Sequence, residues 1–137
     1  MLRPDALSCW GDPFVRDRLS WYHRVMQNQK PAKFLICKSI PTKIALGEAN
    51  EAALWEEHEK LAGEFKMLSQ KVAEGYEVDV GRFPPRSFLD VKAELLHRIL
   101  RHCTFCEWRC RVDRVEGTRK GACRMDATIF RDSIPKT

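Results

Sequence analysis

The chain is expected to be mainly α-helical: amphipathic helices packed together, a C-terminal four-cysteine metal-binding knuckle, and at most one short β-hairpin. Three observations lead there. Apolar residues recur at helical steps over 51–74 and again over 88–100, helix-start signals stand directly before both runs, and four of the six cysteines fall within residues 103–123. With 137 residues the chain has room for one domain, or for a small core with an appended module. The expected division is a helical body over 1–100, a cysteine module over 101–126 and a tail over 127–137. Apolar residues at 44% and charged residues at 31% exclude a disordered tail or a fibre.

In chain order, Asp12-Pro13 reads as an N-cap followed by proline at the first helical position. Phe14, Trp21, Tyr22, Val25 and Met26 then outline one face of a helix over 13–27. The short apolar runs 33–37 and 43–46 flank Pro41 and read as strands or as extended segments packed on the helices. After the cap candidate Asn50, the residues Leu54, His58, Leu61, Phe65, Leu68 and Val72 recur in steps of four and three, with Trp55 and Ala62 widening the stripe. This predicts a long amphipathic helix over 51–74, stopped by Gly75. A loop through Gly81 and Pro84-Pro85 leads to Ser87-Phe-Leu-Asp90, a capping box opening a second helix that turns Phe88, Val91, Leu95, Ile99 and Leu100 inward. His58 and His97 read as packed or exposed helical histidines. Asp79, Asp90 and Glu94 are scattered carboxylates that form no acid–base pair in the sequence, and no catalytic residue is assigned.

The second helix delivers the chain to Cys103. Cys103 and Cys106 have the Cys-x2-Cys spacing that lets two sulfurs converge through a tight turn, and Cys110 and Cys123 follow after a loop containing Gly117 and Gly121. In a reducing compartment such clustering indicates metal rather than disulfides. Four thiolates close a tetrahedral Zn2+ site or hold a [4Fe–4S] cluster, and spacing does not decide between them. The chain's net charge of +5 is carried by residues 98–124, where eight bases face three acids. Those arginines are expected to favour thiolates and screen the completed site, and Phe105 and Trp108 to exclude water from the sulfurs. Cys9 and Cys37, outside the motif, are expected to be packed thiols.

The Cys-x2-Cys-x3-Cys run has an arginine before its third cysteine, then Val112-Asp113-Arg114, Gly117, and a closing Gly121-x-Cys123. It resembles the accessory cysteine motif upstream of the catalytic core in archaeal and bacterial radical S-adenosylmethionine proteins related to pyruvate formate-lyase activating enzyme. Residues 54–58 through Phe65, and 87–92 leading into the cysteines, resemble the helical N-terminal extension of the archaeal branch, so the likeness covers about residues 32–125. It implies an accessory iron–sulfur region, structural or electron-relaying, whose partner is a radical S-adenosylmethionine catalytic core, in cis in relatives, or another protein. The family's catalytic signature, Cys-x3-Cys-x2-Cys, leaves one iron open to S-adenosylmethionine. Here the order is reversed and a fourth cysteine follows, so reductive cleavage of S-adenosylmethionine is not expected at this site. The expectation is of an accessory region truncated before the catalytic barrel, or standing alone.

Two other readings compete. A zinc knuckle would bind nucleic acid, with Arg109, Arg111, Arg114, Arg119 and Arg124 on phosphates and Trp108 or Phe105 stacking a base. Alternatively the metal is a staple for a docking domain, with Trp10, Trp21 and Trp55 in the docking patch. No apolar run approaches the length of a membrane span, and residues 1–14 lack the core of a secretory signal, so no membrane association and a cytoplasmic location are expected.

Overall fold

The computed structural model describes residues 8–79, 81–117 and 119–124. Among them the protein is mainly helical: a 3-10 turn at Cys9–Gly11, then α1 (Pro13–Arg18), α2 (Ser20–Met26), α3 (Lys33–Ser39), α4 (Glu51–Ala73) and α5 (Phe88–Arg101). The expected tail over 127–137 lies outside the described residues. Among the described residues no helix is long and apolar enough to cross a membrane.

The core forms where α4 packs against α5 and α3 lies across both. Leu54 and Leu61 from α4 meet Phe88, Val91 and Leu95 from α5 and Cys37 and Ile40 from the end of α3. Each large apolar side chain buried this way stabilises the fold by roughly 1.5–3 kcal/mol. The α4 stripe follows the predicted spacing, with Leu54, Leu61 and Val72 buried and Phe65 and Leu68 half-buried. The predicted cap is present: the Asn50 side chain accepts the Ala53 N–H at 2.8 Å. At the other end Gly75 adopts φ 109°, while the Tyr76 and Gly75 N–H groups donate to the Lys71 and Val72 carbonyls, a Schellman closure. The start of α5 is also as expected, since the Asp90 carboxylate accepts the Ser87 N–H at 2.8 Å and its hydroxyl at 2.6 Å. Of the inward set on α5, Ile99 and Leu100 are only half-buried.

Two elements differ from expectation. The single helix over 13–27 is broken at Leu19 (φ −107°, ψ 23°) into α1 and α2. Neither piece buries a residue, so no tertiary packing holds the helix through the break. The run 33–37 is helical, not extended, because Ile36, Cys37 and Ile40 share one buried face at helical spacing. Residues 43–46 are irregular, with Ile44 and Leu46 packed on the core. No β-hairpin forms among the described residues: strand-like pairing is confined to an isolated antiparallel bridge between Pro41 and Ser87.

Side chains lock α4 and α5 together above the core. Lys92 Nζ lies 3.1 Å from His58 Nε2 and 4.4 Å from the centre of the Phe88 ring. The His58 ring in turn meets Phe88 at 5.3 Å and Trp55 at 5.4 Å, so His58 is a packed histidine. The scattered carboxylates have structural partners. Asp79 accepts the Gly81 N–H, Asp90 caps α5, and Glu94 pairs with Arg98 at 2.8 Å. Arg98 also donates to the Leu46 carbonyl, tying the irregular 43–46 segment to α5.

Candidate metal centre

The cysteine segment begins where α5 ends, and its first contacts are made by the backbone. The Arg114 N–H donates to the Leu100 carbonyl at 2.8 Å, fastening the returning strand of chain to the last turn of α5. Cys103 N–H donates to the Val112 carbonyl and Arg111 N–H to the Cys103 carbonyl, so residues 103 and 111–112 run side by side. Between them Arg109 N–H closes a turn on the Cys106 carbonyl at 2.9 Å. Asp113 then makes an Asx turn by accepting the Val115 and Glu116 N–H groups at 2.7 and 3.1 Å. Donation from Glu116 and Val115 holds its carboxyl below the usual carboxylate range, with Arg101 and His102 adding to the effect against partial desolvation. A side chain at Gly117 would collide with the Asp113 carbonyl, so glycine there permits the turn.

Three residues next to the cysteines take left-handed backbone conformations: Arg109 (φ 36°) and Arg111 (φ 52°) flank Cys110, and Arg124 (φ 57°) follows Cys123. Such a conformation costs a non-glycine residue about 1–2 kcal/mol. The N–H groups of these three arginines donate to the Cys106, Cys103 and Gly121 carbonyls. Partial desolvation pushes the Cys110 thiol up, but donation from the Ala122 and Val112 N–H groups and from Arg114 outweighs it, leaving the thiol below its ordinary value.

Arg114 sits at the middle of this arrangement and is 5% exposed. Its Nη2 lies 3.1 Å from Cys123 Sγ and 3.8 Å from Cys110 Sγ. A hydrogen bond to Cys103 is the first cause holding the guanidinium above its ordinary value, against desolvation, with Cys123 next. Gly121 backs the group: a Cβ there would lie 2.5 Å from Arg114 Nη2 and 2.8 Å from Cys110 Sγ. Beside Cys110 a hollow of about 330 Å3 opens between Arg111, Val112, Asp113, Gly117 and Arg119.

Of the four sequence-predicted ligands, Cys103, Cys110 and Cys123 therefore share one guanidinium, while Cys106 is exposed in the 104–109 loop. Among the described residues, no three histidine, cysteine, aspartate or glutamate side chains are arranged to hold a metal ion. The donor chemistry nonetheless fits a thiophilic centre: soft sulfur ligands, N–H donors aimed at one of them, and a buried cation that favours the thiolate form. Phe105 and Trp108, at 58% and 76% exposed, are carried outward by the 106–109 turn and do not shield the sulfurs. Arg114 was expected on phosphates; its burial against sulfur removes it from any such surface. Sequence reasoning missed this particular role, although Arg114 lies four residues after Cys110 in the basic run. Cys37 is a packed thiol pushed up by burial, partly countered by Lys92, but Cys9 is exposed because the N-terminal turn buries nothing. The three tryptophans lie apart from a common element: Trp10 stacks on Tyr22, Trp21 donates to the Pro31 carbonyl, and Trp55 sits on α4.

The chain is 32% identical over 114 residues to an uncharacterized protein of Methanocaldococcus jannaschii, a match that takes in 82% of this chain and 31% of that protein. It thus spans about a third of the length of the curated relative it matches. No family model matches the chain, and no solved structure matches it.

Proposed function

We propose that this chain is the accessory metal-binding region of a radical S-adenosylmethionine protein related to pyruvate formate-lyase activating enzyme, with Cys103, Cys106, Cys110 and Cys123 holding a [4Fe–4S] cluster. Zinc is the alternative occupant. The observation that carries this reading is the gathering of three of those sulfurs around the buried Arg114 guanidinium, with backbone donors aimed at Cys110. A relative about three times as long is in keeping with a region that serves a larger unit. When bound, the cluster would supply one-electron storage, and zinc a cross-link between the end of α5 and the 110–123 segment. The chain's own residues bind and orient: the end of α5 leads directly into Cys103, Arg114 balances thiolate charge, and the Val112 and Ala122 N–H groups donate to Cys110. Four ligands leave no open coordination position, so S-adenosylmethionine cleavage belongs to a separate catalytic core. A cytoplasmic setting suits such a site because it keeps the thiols reduced.

Anaerobic purification followed by iron, sulfide and zinc analysis and visible absorption tests the proposal. Brown protein with iron and sulfide is expected. Protein that carries neither iron nor zinc, and takes up neither, would refute it.

A second reading is favoured by one specific observation. Trp108 and Phe105 are exposed, as are Arg109, Arg111, Arg119, Lys120 and Arg124 of the same segment, and stacking surfaces together with cations are what binds single-stranded nucleic acid. Affinity for a single-stranded oligonucleotide that falls steeply with salt, and falls on Trp108→Ala, would support it. Salt-insensitive binding would remove it.

A further inference from the structure

Arg114 is the least ordinary charged group on the molecule. A guanidinium cannot shed its proton inside a protein, and burying it at 5% exposure is costly unless anions or acceptors take up its donors. Here sulfur takes up part of the fork. Nη2 reaches Cys123 at 3.1 Å and Cys110 at 3.8 Å, and the guanidinium also bonds Cys103. These three cysteines belong to different stretches: one follows α5, one follows the 106–109 turn, and one follows Gly121. A planar fork of five donors can bridge them, which a lysine ammonium on a flexible stem cannot match. The backbone is built for the approach. The Arg114 N–H is fixed to the Leu100 carbonyl of α5, and Gly121 lacks the Cβ that would stand in the way.

We infer that Arg114 is the positioning residue of the cysteine site: its guanidinium gathers the Cys103, Cys110 and Cys123 sulfurs before a metal binds. The inference rests on the four-cysteine reading above for its metal-binding consequence, whereas the gathering itself rests on the Arg114–sulfur contacts. Arg114 thus offsets in advance part of the ordering cost that ligands scattered over about twenty residues would otherwise take from the metal affinity. It also leaves N–H donors against sulfur, which withdraw electron density from the ligands.

The test uses the reduced full chain, Arg114→Gln, Arg114→Lys and Gly121→Ala, with Co2+ as the probe. In metal-free wild-type protein, 1H–15N spectra should show a slowly exchanging Arg114 guanidinium and dispersed amides over 103–117. Arg114→Gln should lose that dispersion while the α4 and α5 amides keep theirs, and Arg114→Lys should restore part of it. On Co2+ titration, Arg114→Gln should weaken binding by about tenfold or more and move the thiolate-to-cobalt band to longer wavelength. Gly121→Ala, which retains the arginine but crowds it off Cys110, should change the same two readouts in the same direction. The inference is overturned if Arg114→Gln leaves the 103–117 amides unchanged, or binds Co2+ as tightly as wild type or tighter, since the guanidinium would then merely fill the place the metal takes. An unchanged Gly121→Ala spectrum would overturn it equally. Wild-type protein that shows no thiolate-to-cobalt band would refute the four-cysteine reading instead, and the metal-free spectra would still decide the role of Arg114.

Discussion

The α4–α5 body and the segment that follows it are stabilised in opposite ways. In the body, leucine, valine and phenylalanine side chains at 0–3% exposure meet across a helix pair, and polar groups mostly cap ends or bridge the surface. In the segment from Cys103 to Arg124, the residues buried among those described are two glycine- and cysteine-sized positions, Gly121 and Cys103, and one arginine. Its order comes from backbone turns, an Asx turn and a guanidinium shared among sulfurs. A region that buries little apolar surface cannot offset its own ordering entropy from hydrophobic burial. The body is held by apolar contact; the cysteine segment is arranged around a charged group.

The largest expected effect lies in the body. Phe88→Ala removes the biggest fully buried side chain, and a loss of about 3–5 kcal/mol in chemical denaturation is expected. Leu54→Ala should cost about 2–5 kcal/mol by the same measurement. If either left stability unchanged, the core would lie elsewhere. Next come the helix ends. Asp90→Ala removes the acceptor of both Ser87 bonds and should cost about 1 kcal/mol, and Gly75→Ala about 1–2 kcal/mol because its φ of 109° suits glycine alone. Both should leave Co2+ binding by the cysteines unaltered, which separates helix-end effects from site effects.

The smallest effect is a pH slope. Burial raises the Cys37 thiol above its ordinary value of 9.0, with Lys92 opposing. The folded state therefore keeps its proton where the unfolded state has lost it. Stability from this group is fully present below pH 9.0 and declines as pH rises from there through the folded value. The denaturation midpoint of wild type should fall more steeply above pH 9.0 than that of Cys37→Ala; parallel slopes would contradict the burial of this thiol.

Most of the body was readable in the sequence, because the 51–74 and 88–100 stripes, Asn50, Gly75 and the Ser87–Asp90 box are local signals acting in agreement. The misreadings fall where local signals were short or unsupported. The four-residue apolar run 34–37 has no period of its own, and only packing under α5 makes it helical. The 13–27 face pointed at no partner, so nothing held it as one helix. At the cysteines, spacing named the four residues and charge suggested that arginines attend them. Which arginine turns inward depended on the Leu100–Arg114 backbone bond and on the space at Gly121, neither of which is written in a spacing.

The claim that Cys103, Cys106, Cys110 and Cys123 serve one metal centre is tested most directly at Cys106, the member of the set outside the group around the Arg114 guanidinium. The measurement is metal content per chain of anaerobically purified Cys106→Ser against wild type, with Cys9→Ser as the control. Loss of bound metal in Cys106→Ser alongside wild-type content in Cys9→Ser is the expected result. Wild-type metal content in Cys106→Ser would contradict the four-cysteine centre.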